Sequence, residues 1–347
     1  MPLTLRVMNP LTSSDWDTLV LSAEHHSAFH SSAWARVLHD SYGLTPCYIL
    51  MSNESRPVAL VPLMETGLFP AGRRGICLPF TDCCEPLLLN GAHYSSIIPE
   101  LIRYAREHGW KYLEVRGGRN LFSNASPSCL YYGHLLALSS DVHEHFLKLR
   151  GSTKRNIKHA INYGITVRVN DSCDSLKEFY RLHCLTRRKH GAPPQPWHFF
   201  KNIQRHLISQ DQGLVFTAHY EGHCVGGAIC LHFGRHIYYK YAASDFAYQH
   251  LRANNLIVWE IIKYYATRGY ASLHLGRTEA TNVGLLQFKN GWGCTIQKIC
   301  YYTYDVRKEL VRPEEAAVYQ HFAEVVFRRC PLFFLRALGT LFYRYVA

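Results

Sequence analysis

The 347-residue chain carries 38 Lys and Arg against 26 Asp and Glu, a formal charge of +12. With 48% hydrophobic and 18% charged residues it has the make-up of a packed globular protein, which excludes a disordered or low-complexity chain. Its length allows two ordinary domains, and its positive charge points to an anionic partner (RNA, a phosphorylated substrate or acidic lipid), with solubility as the plainer explanation.

In chain order, Leu3 to Val7 reads as a strand, Trp16 to Ala23 and Ser32 to Ser41 as helices, and Cys47 to Met51, Val58 to Leu63 and Gly75 to Leu78 as strands. Tyr94 to Glu107 is a predicted helix and Trp110 to Val115 a strand. A basic helix is expected in the linking segment 139–164. Ile165 to Val169 then reads as a strand, Cys173 to His190 and Trp197 to Ile208 as helices. Leu214 to His219, Val225 to Phe233 and Ile237 to Ala243 form a meander, because Glu221-Gly222 and Gly234-Arg235 are hairpin signals. Ala253 to Thr267 is a helix, Ala271 to Leu275 a strand, Val283 to Lys289 a short helix and Thr295 to Tyr304 a strand. Gly109-Trp110-Lys111-Tyr112-Leu113-Glu114-Val115 echoes Gly269-Tyr270-Ala271-Ser272-Leu273-His274-Leu275 in the same frame, so the two halves read as copies of one domain.

Twelve scattered cysteines without a Cys-x-x-Cys pair suit a reducing compartment rather than a disulfide framework. His219 and His223, and likewise His232 and His236, straddle expected turns, so no metal site is expected from them. The N-terminus does not read as a signal peptide, and no run approaches the ~18–20 apolar residues of a spanning helix. The expectation is a cytoplasmic protein, with peripheral contact on the inner face of a membrane as the additional possibility. That contact would come from the basic, aromatic tail 306–347, where Pro313 to Arg328 reads as a helix. Packing of the tail on the preceding domain is the favoured alternative.

Lys289 is the first choice for catalysis, because a fixed ammonium stabilises a tetrahedral oxyanion more than the ground state, and Phe288 would be the dry wall beside it. A solvated Lys and a core Phe are the plainer reading of that pair. Gln249 to Leu256 opens a helix whose N-terminus binds anions through unpaired N–H groups, with Arg252 adding charge; an ordinary cap by Asn254 explains the same residues. Lys154, Arg155 and Lys158 crowd the start of a helix, capped in this reading by Ser152 or Thr153, where cations oppose the macrodipole; a bound anion or a solvated linker accounts for them. Asp82, in a loop after a strand, is placed to orient or deprotonate an amine, or simply to form a turn.

Phe29-His30-Ser31-Ser32-Ala33-Trp34, Pro79-Phe80-Thr81-Asp82, Ser152 to Ala160, Arg252-Ala253-Asn254-Asn255-Leu256 and Gly284-Leu285-Leu286-Gln287-Phe288-Lys289 follow one another in a telling order. Over residues 25 to 304 the chain resembles the Gcn5-related N-acetyltransferase (GNAT) superfamily, in the tandem-domain branch related to the Fem-type (FemAB) peptidoglycan aminoacyltransferases. The resemblance implies an α/β (α+β) fold of two tandem GNAT-like domains, each a mixed, mostly antiparallel sheet flanked by helices. The expected division is 1–138, a linking helix at 139–164, 165–305, and a helical basic tail at 306–347. It also implies direct transfer of an acyl or aminoacyl group to an amine of a peptidoglycan-type, exopolysaccharide or other envelope precursor. Acyl-CoA or aminoacyl-tRNA would be the co-substrate, with no tightly bound cofactor and no metal. Lys289, Phe288 and Asp82 would be catalytic; Arg252, Asn254, Asn255, Tyr241 and Arg277 would meet the donor; Lys154, Arg155 and Lys158 would hold acceptor phosphate. Two departures leave the donor open: no glycine-rich pyrophosphate loop precedes the helix at Ala253, and only Lys189 to Trp197 separates the two helices where some Fem enzymes insert an arm. The alternative reading is a non-catalytic GNAT fold that grips RNA or an anionic membrane.

Overall fold

The computed structural model describes residues 3–68, 72–117, 122, 125–313 and 325–346. The chain divides into two compact units, residues 1–132 with 298–315 and residues 133–297 with 316–346. In order come β1 (Thr4–Met8), α1 (Trp16–Leu21), α2 (Ser32–Tyr42), β2 (Thr45–Pro46), β3 (Tyr48–Asn53), β4 (Arg56–Val61), β5 (Met64–Leu68), β6 (Gly72–Ile76), β7 (Leu87–Leu88), α3 (Tyr94–Glu107), β8 (Tyr112–Arg116) and β9 (Cys129–Ala137). There follow α4 (Val142–Lys148), α5 (Gly151–Asn162), β10 (Thr166–Asn170), α6 (Cys173–Lys189), α7 (Trp197–His206), β11 (Gly213–Tyr220), β12 (His223–Phe233), β13 (His236–Ser244), α8 (Ala253–Ala266), β14 (Ser272–Glu279), α9 (Val283–Asn290), β15 (Thr295–Asp305), β16 (Leu310–Val311) and α10 (Leu332–Val346). Every element expected between residues 165 and 304 occurs, in the expected order. β2, β5, β7, β9, β16 and α4 were not expected. The single basic helix expected at 139–164 is two helices, broken where Leu149 and Arg150 turn extended.

In the first unit β1, β3, β4 and β7 form an antiparallel sheet. β5 joins β2 to β6, and β8 lies parallel to β6 and antiparallel to β15. Trp16, Phe29, Trp34 and Tyr48 fill the core and are at most 1% exposed. Ser31 caps α2 by accepting from the Trp34 N–H. His30 bridges the core: its Nδ1 accepts from the Ser27 N–H and its Nε2 lies 2.8 Å from the Glu85 carbonyl. Burial lowers its pKa to about 4, so it is neutral at pH 7.

In the second unit β10 to β13 form an antiparallel meander, and β14 adds in parallel to β13. An added Cβ at Gly226 would meet Ile257 of α8, and one at Gly227 would meet Phe179 of α6. Consecutive strand residues face opposite sides, so α6 and α8 cover the two faces of β12, and that strand reads as an unbroken apolar run. β13 and β14 are registered from His236↔Ser272 to Tyr238↔His274; β13 continues to Ser244 and β14 to Glu279. Their pairing ends at Tyr238 and His274.

The tail helix α10 packs on α6. Leu335, Gly339 and Tyr343 are buried along one stripe. The Tyr343 hydroxyl donates to the Pro193 carbonyl and accepts from Arg187. The helix expected over Pro313 to Arg328 lies largely outside the described residues.

Candidate functional site

At the open end of β13 lies a cleft of about 120 Å³, lined by Ser244, Asp245, Tyr248, Arg252, Asn254 and Phe288, among others. The path of the chain builds it. Asp245 donates its N–H to the Val225 carbonyl, and its side chain accepts from the Ala247 N–H, opening a tight turn over Phe246–Leu251. Arg252 ends that turn in the left-handed region, at φ 59°, and α8 begins at the next residue. A non-glycine residue there costs on the order of 1 kcal/mol, which the surrounding fold must hold in place.

No side chain caps α8. The cap read onto Asn254 is therefore corrected: Asn254 lies inside the first turn, where its Nδ2 donates to Ser244 Oγ at 3.3 Å. Its Oδ1 is buried and has no hydrogen-bond partner among the described residues. A helix N-terminus without a cap leaves backbone donors available to an anion, and an unsatisfied amide oxygen offers an acceptor beside them. A Cβ at Gly226 would crowd Ile257 Cδ1, at 3.1 Å, and touch Asn254 Oδ1.

Phe288 forms the opposite wall, held edge-on against Trp292 with ring centroids 5.9 Å apart. Lys289 turns elsewhere. Its Nζ is buried and donates to the carbonyls of Gly276, at 2.9 Å, and Arg277, at 3.1 Å, on β14 beyond the registered stretch. Gly276 takes φ 74°, and its N–H donates to His274 Nδ1, so β14 bends at that point. The C-terminal end of α9 is fixed on α5: Arg150 donates its N–H to the Gly291 carbonyl, and Gly291 leaves only enough room for Thr153 Oγ1. Thr153 is thus a packing residue, and neither it nor Ser152 caps α5, whose N-cap position is Arg150.

The remaining predicted residues are dispersed. Asn255 lines the cleft. Tyr241 packs instead among the rings of His183, Phe199 and Phe200. Arg277 contributes its carbonyl to Lys289. Lys154 donates to the Leu147 carbonyl at the end of α4 and lies over the Phe146 ring, while Arg155 and Lys158 are exposed. Asp82 is a half-buried residue of the first unit whose carbonyl accepts from the Tyr301 hydroxyl.

Sequence reasoning missed His134, a fully buried residue of β9 whose Nε2 lies 3.0 Å from Asn290 Oδ1. Burial, and then the charge of Lys289, lower its pKa. Sequence reasoning weighed His219 only with His223, and so did not bring together Glu178, His219 and Cys224, whose ligand atoms lie within 4.8 Å of one another. Arg168 and Arg181 press on that trio electrostatically, a setting that opposes a metal ion. His232 is structural, bonded to Tyr265 and to the Asp211 carbonyl. All twelve cysteines are free thiols.

Residues 148–290, which contain the whole cleft, match the acetyltransferase (GNAT) domain family. The UDP-N-acetylmuramoylpentapeptide-lysine N(6)-alanyltransferase of Weissella viridescens is 32% identical over 92 residues, 26% of this chain; the match spans only 27% of that curated relative's length. Among solved structures, FemX superposes with a TM-score of 0.65 at 12% identity, covering 86% of this chain and 96% of that one. A tandem GNAT protein from the clavulanic acid biosynthesis pathway superposes with a TM-score of 0.57 at 10% identity, covering 88% and 98%.

Proposed function

We propose that the chain, whose residues 148–290 match the GNAT acetyltransferase domain family and whose fold resembles tandem GNAT proteins, transfers an acyl or aminoacyl group to an amine of a peptidoglycan-type envelope precursor. The observation that supports this most is the cleft in which Phe288, Arg252 and the uncapped first turn of α8 meet. The acceptor amine attacks the donor carbonyl, a C–N bond forms, and the C–S or C–O bond to the carrier breaks. The proton lost by the amine ends on the leaving thiol or hydroxyl, with no covalent enzyme intermediate. Arg252 and the α8 N–H groups meet the donor's anionic part, Asn254 Oδ1 accepts an N–H of the donor, and Phe288 keeps water from the carbonyl. Lys289 fixes the Gly276 and Arg277 carbonyls, and with them the opened edge of β14. Arg155 and Lys158 are the cations proposed for acceptor phosphate.

The alanyltransferase likeness and the surplus of positive charge support a phosphorylated acceptor and leave two donor classes, acyl-CoA and aminoacyl-tRNA. A thermal-shift and transfer screen with both donors, on the wild-type chain and on Asn254→Ala and Phe288→Ala, separates them. One donor class stabilises the wild type and does so less in the variants. Failure of both classes to bind or react would remove the transferase reading.

A further inference from the structure

The tail helix is apolar almost all round, and the fold uses only part of it. Successive residues on a helix are about 100° apart, so Leu335, Gly339 and Tyr343 share one narrow stripe. That stripe is the one buried against α6 and the Pro193–Pro194 segment. Gly339 is required there, because a Cβ would stand 2.1 Å from the Pro194 carbonyl oxygen. Arg336 flanks the stripe and lies over the Tyr180 ring. Away from that stripe stand Phe333, Phe334 and Leu341, which are 75%, 48% and 64% exposed, and Phe342, 51% exposed, borders it on the side of Leu335. Val325 and Val326, in the helical turn before α10, are exposed as well. Scattered exposed apolar side chains are ordinary, but four large ones on one short helix are not.

Charge identifies what covers this face. Val325 to Val346 contains Arg328, Arg329, Arg336 and Arg344 and no Asp or Glu. Two copies brought face to face would set these cations against each other, whereas anionic headgroups complement them. Exposed large apolar side chains in a segment whose only charges are arginines are the pattern of a helix lying in a bilayer interface. At 15 residues α10 is too short to span, and no helix among the described residues is long and apolar enough to cross a membrane.

We propose that α10 and the helical turn before it form an interfacial anchor that seats the chain on the surface of an anionic lipid bilayer. Phe333, Phe334, Leu341 and Phe342 enter the headgroup boundary, and Arg329 pairs with lipid phosphate, while the Leu335–Gly339–Tyr343 stripe keeps the helix on its domain. The anchor is independent of which group the chain transfers, so its failure leaves the transferase reading untouched.

Co-sedimentation of the full chain with vesicles of phosphatidylcholine containing about one-third phosphatidylglycerol, and with phosphatidylcholine alone, tests it. The expected result is binding to the anionic vesicles that weakens with salt, falls at least about tenfold in Phe333→Asp/Phe342→Asp, and falls about fivefold in Arg329→Gln. Both phenylalanines are exposed, so the double variant should keep the wild-type melting temperature. A Phe342→Trp chain gives a second reading, because its fluorescence should be quenched by spin-labelled acyl chains. Equal sedimentation of the double variant, or an unquenched Trp, overturns the proposal. So does a dimer in solution that the double variant abolishes while the wild type ignores vesicles, since a second copy would then be the occupant.

Discussion

Replacing Lys289 with Met isolates what its ammonium does. Met keeps most of the side-chain length, so little cavity forms, but the Gly276 and Arg277 carbonyls lose the donor that now sits 2.9 and 3.1 Å away. Each buried carbonyl left unsatisfied costs about 1–3 kcal/mol. Against this, the variant no longer buries an ammonium, which recovers part of a desolvation cost of several kcal/mol. The balance is a loss of about 2 kcal/mol, or a fall of roughly 4–8 °C in melting temperature for a unit of this size. The burial of this side chain predicts that both transfer and the fold suffer. A second readout is His134. Part of the depression of its pKa comes from the Lys289 charge, so its NMR titration should move upward in Lys289→Met while still lying below the ordinary value, because burial, the larger cause, remains. Calorimetry, transfer kinetics and that titration together check the reasoning. An unchanged melting temperature with an unchanged His134 titration would refute it.

Acid should weaken the chain before any carboxylate titrates. His183 and His30 have pKa values lowered by burial from 6.5 to about 3 and about 4, so the unfolded chain takes up protons that the folded one refuses. The stability is fully present above about pH 6.5, falls by about 1.4 kcal/mol per pH unit for each histidine, and has been lost once the folded pKa is passed. Denaturant titrations from pH 7 to 4 measure this slope, and His183→Phe should reduce it. Gly291→Ala places a Cβ 2.3 Å from Thr153 Oγ1 and should cost about 1–3 kcal/mol; Thr153→Ala in the same chain should return most of it in urea melts. Phe288→Ala should raise the KM for the donor more than it lowers the melting temperature, because the ring borders the cleft and is only partly buried.

The second half of the chain was legible because its signals are local. Glu221-Gly222 turns through two positive φ angles, 46° and 79°, as a tight hairpin demands; in the first half, Tyr94 to Glu107 is likewise the helix its periodicity predicts. β9 was illegible because Gly133 and His134 interrupt its apolar residues, and what makes it a strand is pairing with partners distant in sequence. α4 was hidden inside a segment read as one basic helix, although Asp141 caps it through the His143 and Glu144 N–H groups. At the site, the cleft residues Arg252, Asn254 and Asn255 were found because a helix start is visible in sequence. Phe288 and Lys289 were read as acting side by side, yet neighbours on a helix diverge by about 100°. One of them had to leave the cleft.

That divergence bears on where the positive charge of the chain does its work. Of the cations singled out by sequence, Lys289 binds the carbonyls of a bent strand and Lys154 a helix-end carbonyl; both serve the fold's own backbone acceptors. Arg252 is exposed at the cleft, but only because a left-handed turn puts it there, and Asp245 lines the same cleft. A donor held in this cleft therefore meets backbone N–H groups and an amide oxygen as much as formal charge. Backbone donors and an amide oxygen stay unchanged in salt that screens surface cations, so donor binding should depend on ionic strength far less than the tail's binding to anionic vesicles. Measuring both on the same preparation between low and physiological salt separates the two uses of a basic chain. A donor affinity that fell as steeply as the vesicle affinity would mean that surface cations, not the α8 turn, hold the donor.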